Sequence, residues 1–389
     1  MSRLAELIEE LCPDGVEYRP LGDVAELKRG QAVTRKEIME GQIPVIAGGR
    51  EPAYYIDRPN RQGETIVIAG SGAYAGFVSF WNEPIFVSDA FSIVVDRGTL
   101  QPRFVYHWLN GRQEAIHALK SGGGVPHVYP KDVAKLRCPI PPLEVQREIV
   151  RILDQFTTLE AELEAELTIR RRQHSFYRSE LLARESLQKR VGVLEYKTLG
   201  DLFETRNGYT PSKRDHTAWD RDDVPWFRME DIRENGGILE SALISISNSA
   251  VKAGRVFPAN SILVATSATI GAHALVTVEH LSNQRFTSLQ PKEIACGLFD
   301  PYFLYYYCFL LDEYCLNHTN VSSFASVDMR AFRAFEFPIL PLDVQCEIAS
   351  ILDQFTRLET ELEAEIEARR SQCAYYRDRL LSFPEKKAE

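Results

Sequence analysis

The sequence predicts an α+β fold in which two unlike domains alternate with two long helices in pseudo-two-fold symmetry. Three observations predict it. A 40-residue segment occurs twice, both copies carry helical apolar spacing, and β-like runs stand upstream of each copy in stretches that otherwise diverge.

The helices come first because the repeat defines them. LEVQREIVRILDQFTTLEAELEAELTIRRRQHSFYRSELL starts at Leu143 and LDVQCEIASILDQFTRLETELEAEIEARRSQCAYYRDRLL at Leu342, an offset of 199 residues without a gap, with 25 of 40 positions identical. Apolar residues recur at three- and four-residue steps: Ile149, Ile152, Leu153, Phe156, Leu159, Leu163 and Leu167, then Ile348, Ile351, Leu352, Phe355, Leu358, Leu362 and Ile366. Pro141 and Pro142, and Pro338 and Pro341, set a sharp start, and neither copy contains Gly or Pro. Forty helical residues span about 60 Å. A lone helix of that length needs a partner along its apolar seam, and the simplest partner is the other copy.

The domains come next. Leu21-Gly22-Asp23-Val24 is followed by Arg29-Gly30, and Leu199-Gly200-Asp201-Leu202 by Asn207-Gly208. From Leu21 to Leu199 the offset is 178, so the intervening segments differ in length. ETIVIAGSGAYAG from Glu64 and NSILVATSATIGA from Asn260 each read as strand, turn, strand. The expected division is 1–142 for the first domain, 143–190 for the first helical region, 191–341 for the second domain and 342–389 for the second helical region. Residues 7–24 resemble the run from Leu181, so the first ten residues or so read as a helix tail that completes the scaffold. The scaffold is alike and the domains are not, which suits helices that bind one partner twice and domains that read two different things.

Composition narrows the class. Apolar content of 44% and charged content of 26% are ordinary for a globular protein, and no run approaches the length of a membrane span. The acidic, amphipathic start lacks the pattern of a signal peptide. Seven cysteines without a CxxC pair argue against a disulfide framework or zinc ribbon and fit a reducing cytoplasm. The net charge of −10 opposes nucleic-acid binding, which usually needs Lys and Arg. Residues 1–142 carry 16 basic and 17 acidic side chains, and 191–341 carry 13 and 18. A DNA face would therefore be locally basic on an acidic body, or partners would supply phosphate contacts.

The two copies of Pro-x-x-Pro-Leu followed by Ile-Leu-Asp-Gln-Phe-Thr, each after a variable domain with Leu-Gly-Asp near its start, resemble the specificity subunits of type I restriction-modification systems. The resemblance covers essentially the whole chain and is strongest over 139–182 and 338–381. It implies two target recognition domains of mixed α/β fold, separated by two long conserved helices packed as an antiparallel coiled coil. It implies that each domain reads one half of a bipartite, asymmetric site on double-stranded DNA. It also implies that the helices bind two copies of a modification subunit carrying adenine-methyltransferase chemistry, which restriction subunits join. The chain itself would be non-catalytic, with no cofactor, metal or membrane.

DNA contacts are expected from polar, basic, turn-forming loops. In the first domain these offer Lys28, Arg29, Gln31, Arg35, Lys36, Arg50, Arg61, Lys120, Ser121, His127 and Tyr129, with Ser71 and Tyr74 on the turn tip. In the second they offer Arg206, Asn207, Tyr209, Lys213, Arg214, Gln284 and Arg285, joined by analogy by Thr266, Ser267, Asn320 and Ser322. Each alone also reads as solvated surface. Gln146/Gln345, Asp154/Asp353 and Gln155/Gln354 are polar yet identical in both helices, and are expected to meet partner subunits; a solvated helix face is the plainer reading.

Two other function classes stay open. Gly70–Gly76 after Thr65–Ala69 resembles a dinucleotide-binding loop, but its glycine spacing is one residue too long and a strand-like run follows where a helix is needed. No GxxxxGK[ST] or HExxH motif is present. The acidic balance favours a non-catalytic coiled-coil adaptor that joins two ligand-binding domains without DNA.

Overall fold

The computed structural model describes residues 3–33, 41–122, 124–252, 255–320 and 325–386. The chain divides into two compact units, 1–166 with 362–389, and 167–361. Each unit thus holds one domain and part of each long helix.

The long helices run Leu143–Leu182 and Leu342–Leu380. Pro142 and Pro341 stand just outside each start, and their carbonyls accept the backbone N–H of Gln146 and Gln345 at 3.1 Å. In the first unit the start of one helix lies antiparallel to the end of the other. Phe156 stacks on Tyr376 at 5.6 Å, and Arg370 pairs with Glu160 at 2.7 Å and with Glu164. In the second unit Tyr177 stacks on Phe355 at 5.4 Å, and His174 meets Glu359 at 2.9 Å. The 199-residue offset carries the first ring pair onto the second, so the internal repeat extends to side-chain contacts.

The first domain opens with helix Arg3–Leu11 and strand Glu17–Pro20, which pairs with Arg137–Ile140. A four-stranded antiparallel sheet follows in the order Ala25–Arg29, Ala90–Val95, Thr65–Ala69, Val78–Trp81. Beside it stand Tyr55–Ile56, Ile43–Ile46 and Phe86–Val87, the last two parallel. Thr65–Ala69 is buried at every position, which is why its run of Ile and Val is continuous rather than alternating. Helix Pro102–Asn110 packs Phe104, Val105 and Trp108 into the same core as Leu4, Ile149 and Leu153.

The second domain repeats this order. Glu195–Thr198 pairs with Glu336–Ile339. Its sheet runs Phe203–Asn207, Phe286–Pro291, Ser261–Ala265, His273–Val276, with Ile238–Leu239 added at the edge. Ser245–Ile246, Val224–Phe227 and Leu281–Ser282 form the smaller sheet, and helix Pro301–Asn317 fills the place of Pro102–Asn110. Two divergent sequences therefore share one topology.

What fastens each domain to its helix corrects an expectation. Gln146 and Gln345 do not face a partner; both are fully buried. The Gln146 carboxamide accepts the Gln101 N–H at 2.8 Å and donates to the carbonyls of Thr99 at 2.9 Å and Pro141 at 2.7 Å. The Gln345 carboxamide accepts the Asp300 N–H at 2.9 Å and donates to Leu298 and Leu340, both at 2.8 Å. Asp154 accepts from Arg103 at 2.8 Å and contacts His107 Nε2 at 2.7 Å, while Asp353 accepts the Tyr306 hydroxyl at 2.7 Å. Glutamine binds backbone, which every sequence has, and aspartate takes whichever donor the domain offers. That is the physical reason these polar residues match while the domains differ. Gln155 and Gln354 are exposed in both copies.

Candidate nucleic-acid interface

At one end of each main sheet, loops converge on a frame of backbone hydrogen bonds. In the first domain Gly30 N–H donates to Ala90 O at 2.8 Å, Gln31 to Val87 at 2.9 Å, Gly70 to Asp89 at 3.1 Å, Gly72 to Pro126 at 3.0 Å and Val128 to Gly70 at 3.0 Å. In the second Gly208 donates to Phe286 at 3.1 Å, Tyr209 to Ser282 at 2.8 Å, Thr266 to Arg285 at 3.0 Å, Ala268 to Ala325 at 3.2 Å and Val327 to Thr266 at 2.9 Å. The two sets correspond bond for bond, with one residue more between Ser282 and Phe286 than between Val87 and Ala90. The repeated glycine after Arg29 and after Asn207 is a steric requirement: a Cβ at Gly30 would lie 1.9 Å from Ser88 O, and one at Gly208 2.2 Å from Ser282 O.

The first frame encloses a cleft of about 250 Å3 lined by Arg29, Asp89, His127 and Tyr129. His127 stacks on Tyr129 at 6.0 Å, and backbone pairing ties Ser121 to His127. Tyr74 is 45% exposed on the turn tip, beneath the Arg50 guanidinium at 5.1 Å. The Lys120 ammonium lies 3.5 Å from Ala73 O on the same turn. Arg29, Gln31, Arg50, Tyr74, Lys120, Ser121, His127 and Tyr129 thus gather on one group of loops. Lys28 is exposed on its strand and paired with Glu26 at 2.9 Å. Ser71 is nearly buried and donates to Asp89, so it orients that carboxylate.

Arg61 departs from the expectation. Its guanidinium donates to Ser92 Oγ at 2.7 Å, Asn60 O at 2.8 Å and Arg29 O at 3.1 Å. Burial pulls its pKa below the usual arginine value. It braces strands rather than offering a free cation. Arg35 and Lys36 lie outside the described residues.

The second frame borders a wider cleft of about 580 Å3. Its wall is Trp219 set edge-to-face on Trp226 at 5.2 Å, and Lys213, Arg228 and Arg285 supply cations. Asn207, Arg214 and Asn320 are exposed, and Ser267 pairs in backbone register with Ser326. Gln284 is exposed and accepts from Thr210 at 2.5 Å. Three expectations shift. Thr266 is buried against Thr287 at 2.8 Å. The Tyr209 hydroxyl is spent on Ala250 O at 2.7 Å and the Lys252 N–H at 2.8 Å. Arg206 lies over Phe257 at 5.4 Å and donates to Arg255 O at 3.3 Å. Ser322 lies outside the described residues. Trp219, Trp226 and Arg228 were not singled out from sequence; the one signal was two tryptophans amid Lys and Arg.

A third groove, of about 690 Å3, runs beside the start of the first long helix and is lined by Arg97, Arg103, Arg147 and Asp154. Among the described residues no group of His, Cys, Asp and Glu could hold a metal ion, and no helix is long and apolar enough to cross a membrane.

Residues 13–169 and 194–368 each match the type I restriction modification DNA specificity domain. The chain belongs to this family. Among relatives of this specificity family, the Escherichia coli type I restriction enzyme EcoprrI specificity subunit is 53% identical over 222 residues, 54% of this chain and 55% of that protein. The chain therefore spans about half the length of that relative. The E. coli EcoR124I/EcoR124II specificity subunit is 31% identical over 301 residues, 72% of this chain and 71% of that one. The type I restriction-modification S subunit from M. genitalium superimposes with a TM-score of 0.58 at 18% identity, covering 96% of this chain and 97% of its own. A chain from a study of complex assembly and conformational transition in a type I system gives 0.59 at 18% identity, covering 95% and 98%. At that identity the likeness concerns the fold, the two-domain, two-helix arrangement of the specificity family.

Proposed function

We propose that this chain is the DNA-specificity subunit of a type I restriction-modification complex, a non-catalytic protein whose two domains each read one half of a bipartite, asymmetric site. The carrying observation is the repeated loop frame: corresponding sets of five backbone hydrogen bonds present Arg29, Gln31 and Asp89 in one domain, and Asn207 and Arg285 in the other. One frame with different side chains suits two readers of different sequences. The exposed faces of the long helices, with Gln155 and Gln354 at related positions, and the groove at Arg103 and Arg147 would dock two modification subunits carrying the adenine methyltransferase, which restriction subunits join. With a net charge of −10, much of the phosphate neutralisation falls to those partners.

The test is methylation mapping of genomic DNA in a host lacking such systems, expressing this chain with its partner methyltransferase. A bipartite adenine-methylated motif that disappears on deleting this chain supports the reading. No motif, with the proteins assembled, favours instead an adaptor without DNA binding, the reading to which the acidic balance points.

A further inference from the structure

We infer that Asp89 and Arg285 are base readers at one shared position of the two frames: Asp89 takes the exocyclic amino group of a cytosine or adenine, and Arg285 the O6 and N7 edge of a guanine. This rests on the DNA-reading role proposed above.

The positions correspond. Each is the last residue before the strand that returns through the sheet, Ala90–Val95 or Phe286–Pro291. Each offers its carbonyl to the turn leaving the central strand, Asp89 to Gly70 N–H at 3.1 Å and Arg285 to Thr266 N–H at 3.0 Å.

Both are held from behind. The Arg285 N–H donates to Asn283 Oδ1 at 3.0 Å, so its backbone is pinned on two sides while its side chain is exposed on the cleft. No hydrogen bond or ion pair engages that guanidinium among the described residues. The Asp89 carboxylate is exposed on the other cleft and accepts the Ser71 hydroxyl through one oxygen, which leaves the second to a ligand. The Asp89 side chain, fixed in this way, loses little entropy on contact.

Their chemistry then selects the target. A carboxylate only accepts hydrogen bonds at neutral pH and is repelled by phosphate. In a cleft shared with Arg29, its partner in the DNA major groove is an amino group, cytosine N4 or adenine N6. A free guanidinium fits guanine through two parallel donors. Opposite charges on one frame reject each other's base, which makes the two half-sites unlike.

The test uses the assembled complex and methylation mapping. Arg285→Ala removes the guanidinium: loss of a phosphate contact would weaken binding alike at every sequence, whereas loss of a guanine contact relaxes preference at one position. The expected result is one guanine position in one half-site relaxed by roughly 5- to 150-fold in preference, with the other half-site unchanged. Asp89→Asn keeps the Ser71 contact and gains a donor. It should relax one position of the other half-site, and the wild-type base there, cytosine or adenine, identifies the source of the amino group. If either variant fails to assemble, Arg285→Gln and Asp89→Ser carry the same expectation. A wild-type motif that the variants leave unaltered at every position overturns this assignment alone. Absence of any motif with the wild-type chain overturns the reading role beneath it.

Discussion

Single residues do two kinds of work here: fastening and shaping. Gln146 and Gln345 fasten, each satisfying three backbone groups of its own chain. Gln345→Leu keeps the volume and strands those groups without partners, at about 1–3 kcal/mol for each that stays buried. Urea unfolding should show this loss, and a loss below about 0.5 kcal/mol would contradict the fastening role. Gly30 and Gly208 shape the frame, with no room for a Cβ. His280 reports on the second domain's core. It is fully buried between Phe227 and Phe257, and burial pushes its pKa down to about 4. The unfolded histidine takes up a proton near pH 6.5 and the folded one does not, so its stabilising contribution is full above that pH and falls as pH drops towards 4. From pH 7 to 5 the loss is on the order of 2 kcal/mol. Denaturant melts at the two pH values should show that His280→Phe removes this part of the pH dependence.

At the scale of elements, the long helices are held by apolar and aromatic seams more than by their many charges. Phe355 packs between His174 at 5.6 Å and Tyr177 at 5.4 Å. Phe355→Ala should cost roughly 2–4 kcal/mol, somewhat less than deletion of a fully buried aromatic ring because this ring is half-buried. Arg370 makes two ion pairs, but its side chain is 48% exposed, and Arg370→Ala should cost below about 1 kcal/mol. Thermal unfolding that ranked the two variants the other way would put charge ahead of packing in the seam. The helices were legible in the sequence because apolar period and flanking proline are local signals. The roles of the polar residues within them were not. Gln146 meets Thr99 and Gln101, more than 40 positions away, and no local pattern announces that contact.

For the whole molecule, the repeated frame makes the domains exchangeable in principle. Replacing residues 1–142 by the corresponding domain of another specificity-family member should change one half-site of the methylated motif and leave the other intact; a change in both would refute modular reading. The charge distribution adds a second expectation. The isolated chain should bind duplex DNA weakly and the assembled complex far more tightly, with a steeper fall in affinity as salt rises, measured by fluorescence anisotropy between low and physiological ionic strength. Equal salt slopes for chain and complex would mean that partners neutralise no phosphates.

The amino-acid sequence by itself determined the two long helices, their pairing across the 199-residue repeat, and the strand–turn–strand units at Thr65–Trp81 and Ser261–Val276, because periodicity, proline and turn residues act over a few positions. Tertiary structure alone decided which polar side chains are free. Arg61 and Thr266 lie in the same kind of loop sequence as Arg29 and Ser267. Yet the sheet turns Arg61 onto Ser92 and buries Thr266 against Thr287. It also joined Trp219 to Trp226 and set Asp89 and Arg285 on matching carbonyls. Those outcomes depend on partners tens of residues away along the chain, and the order of strands in the sheet, not local composition, brings such partners together.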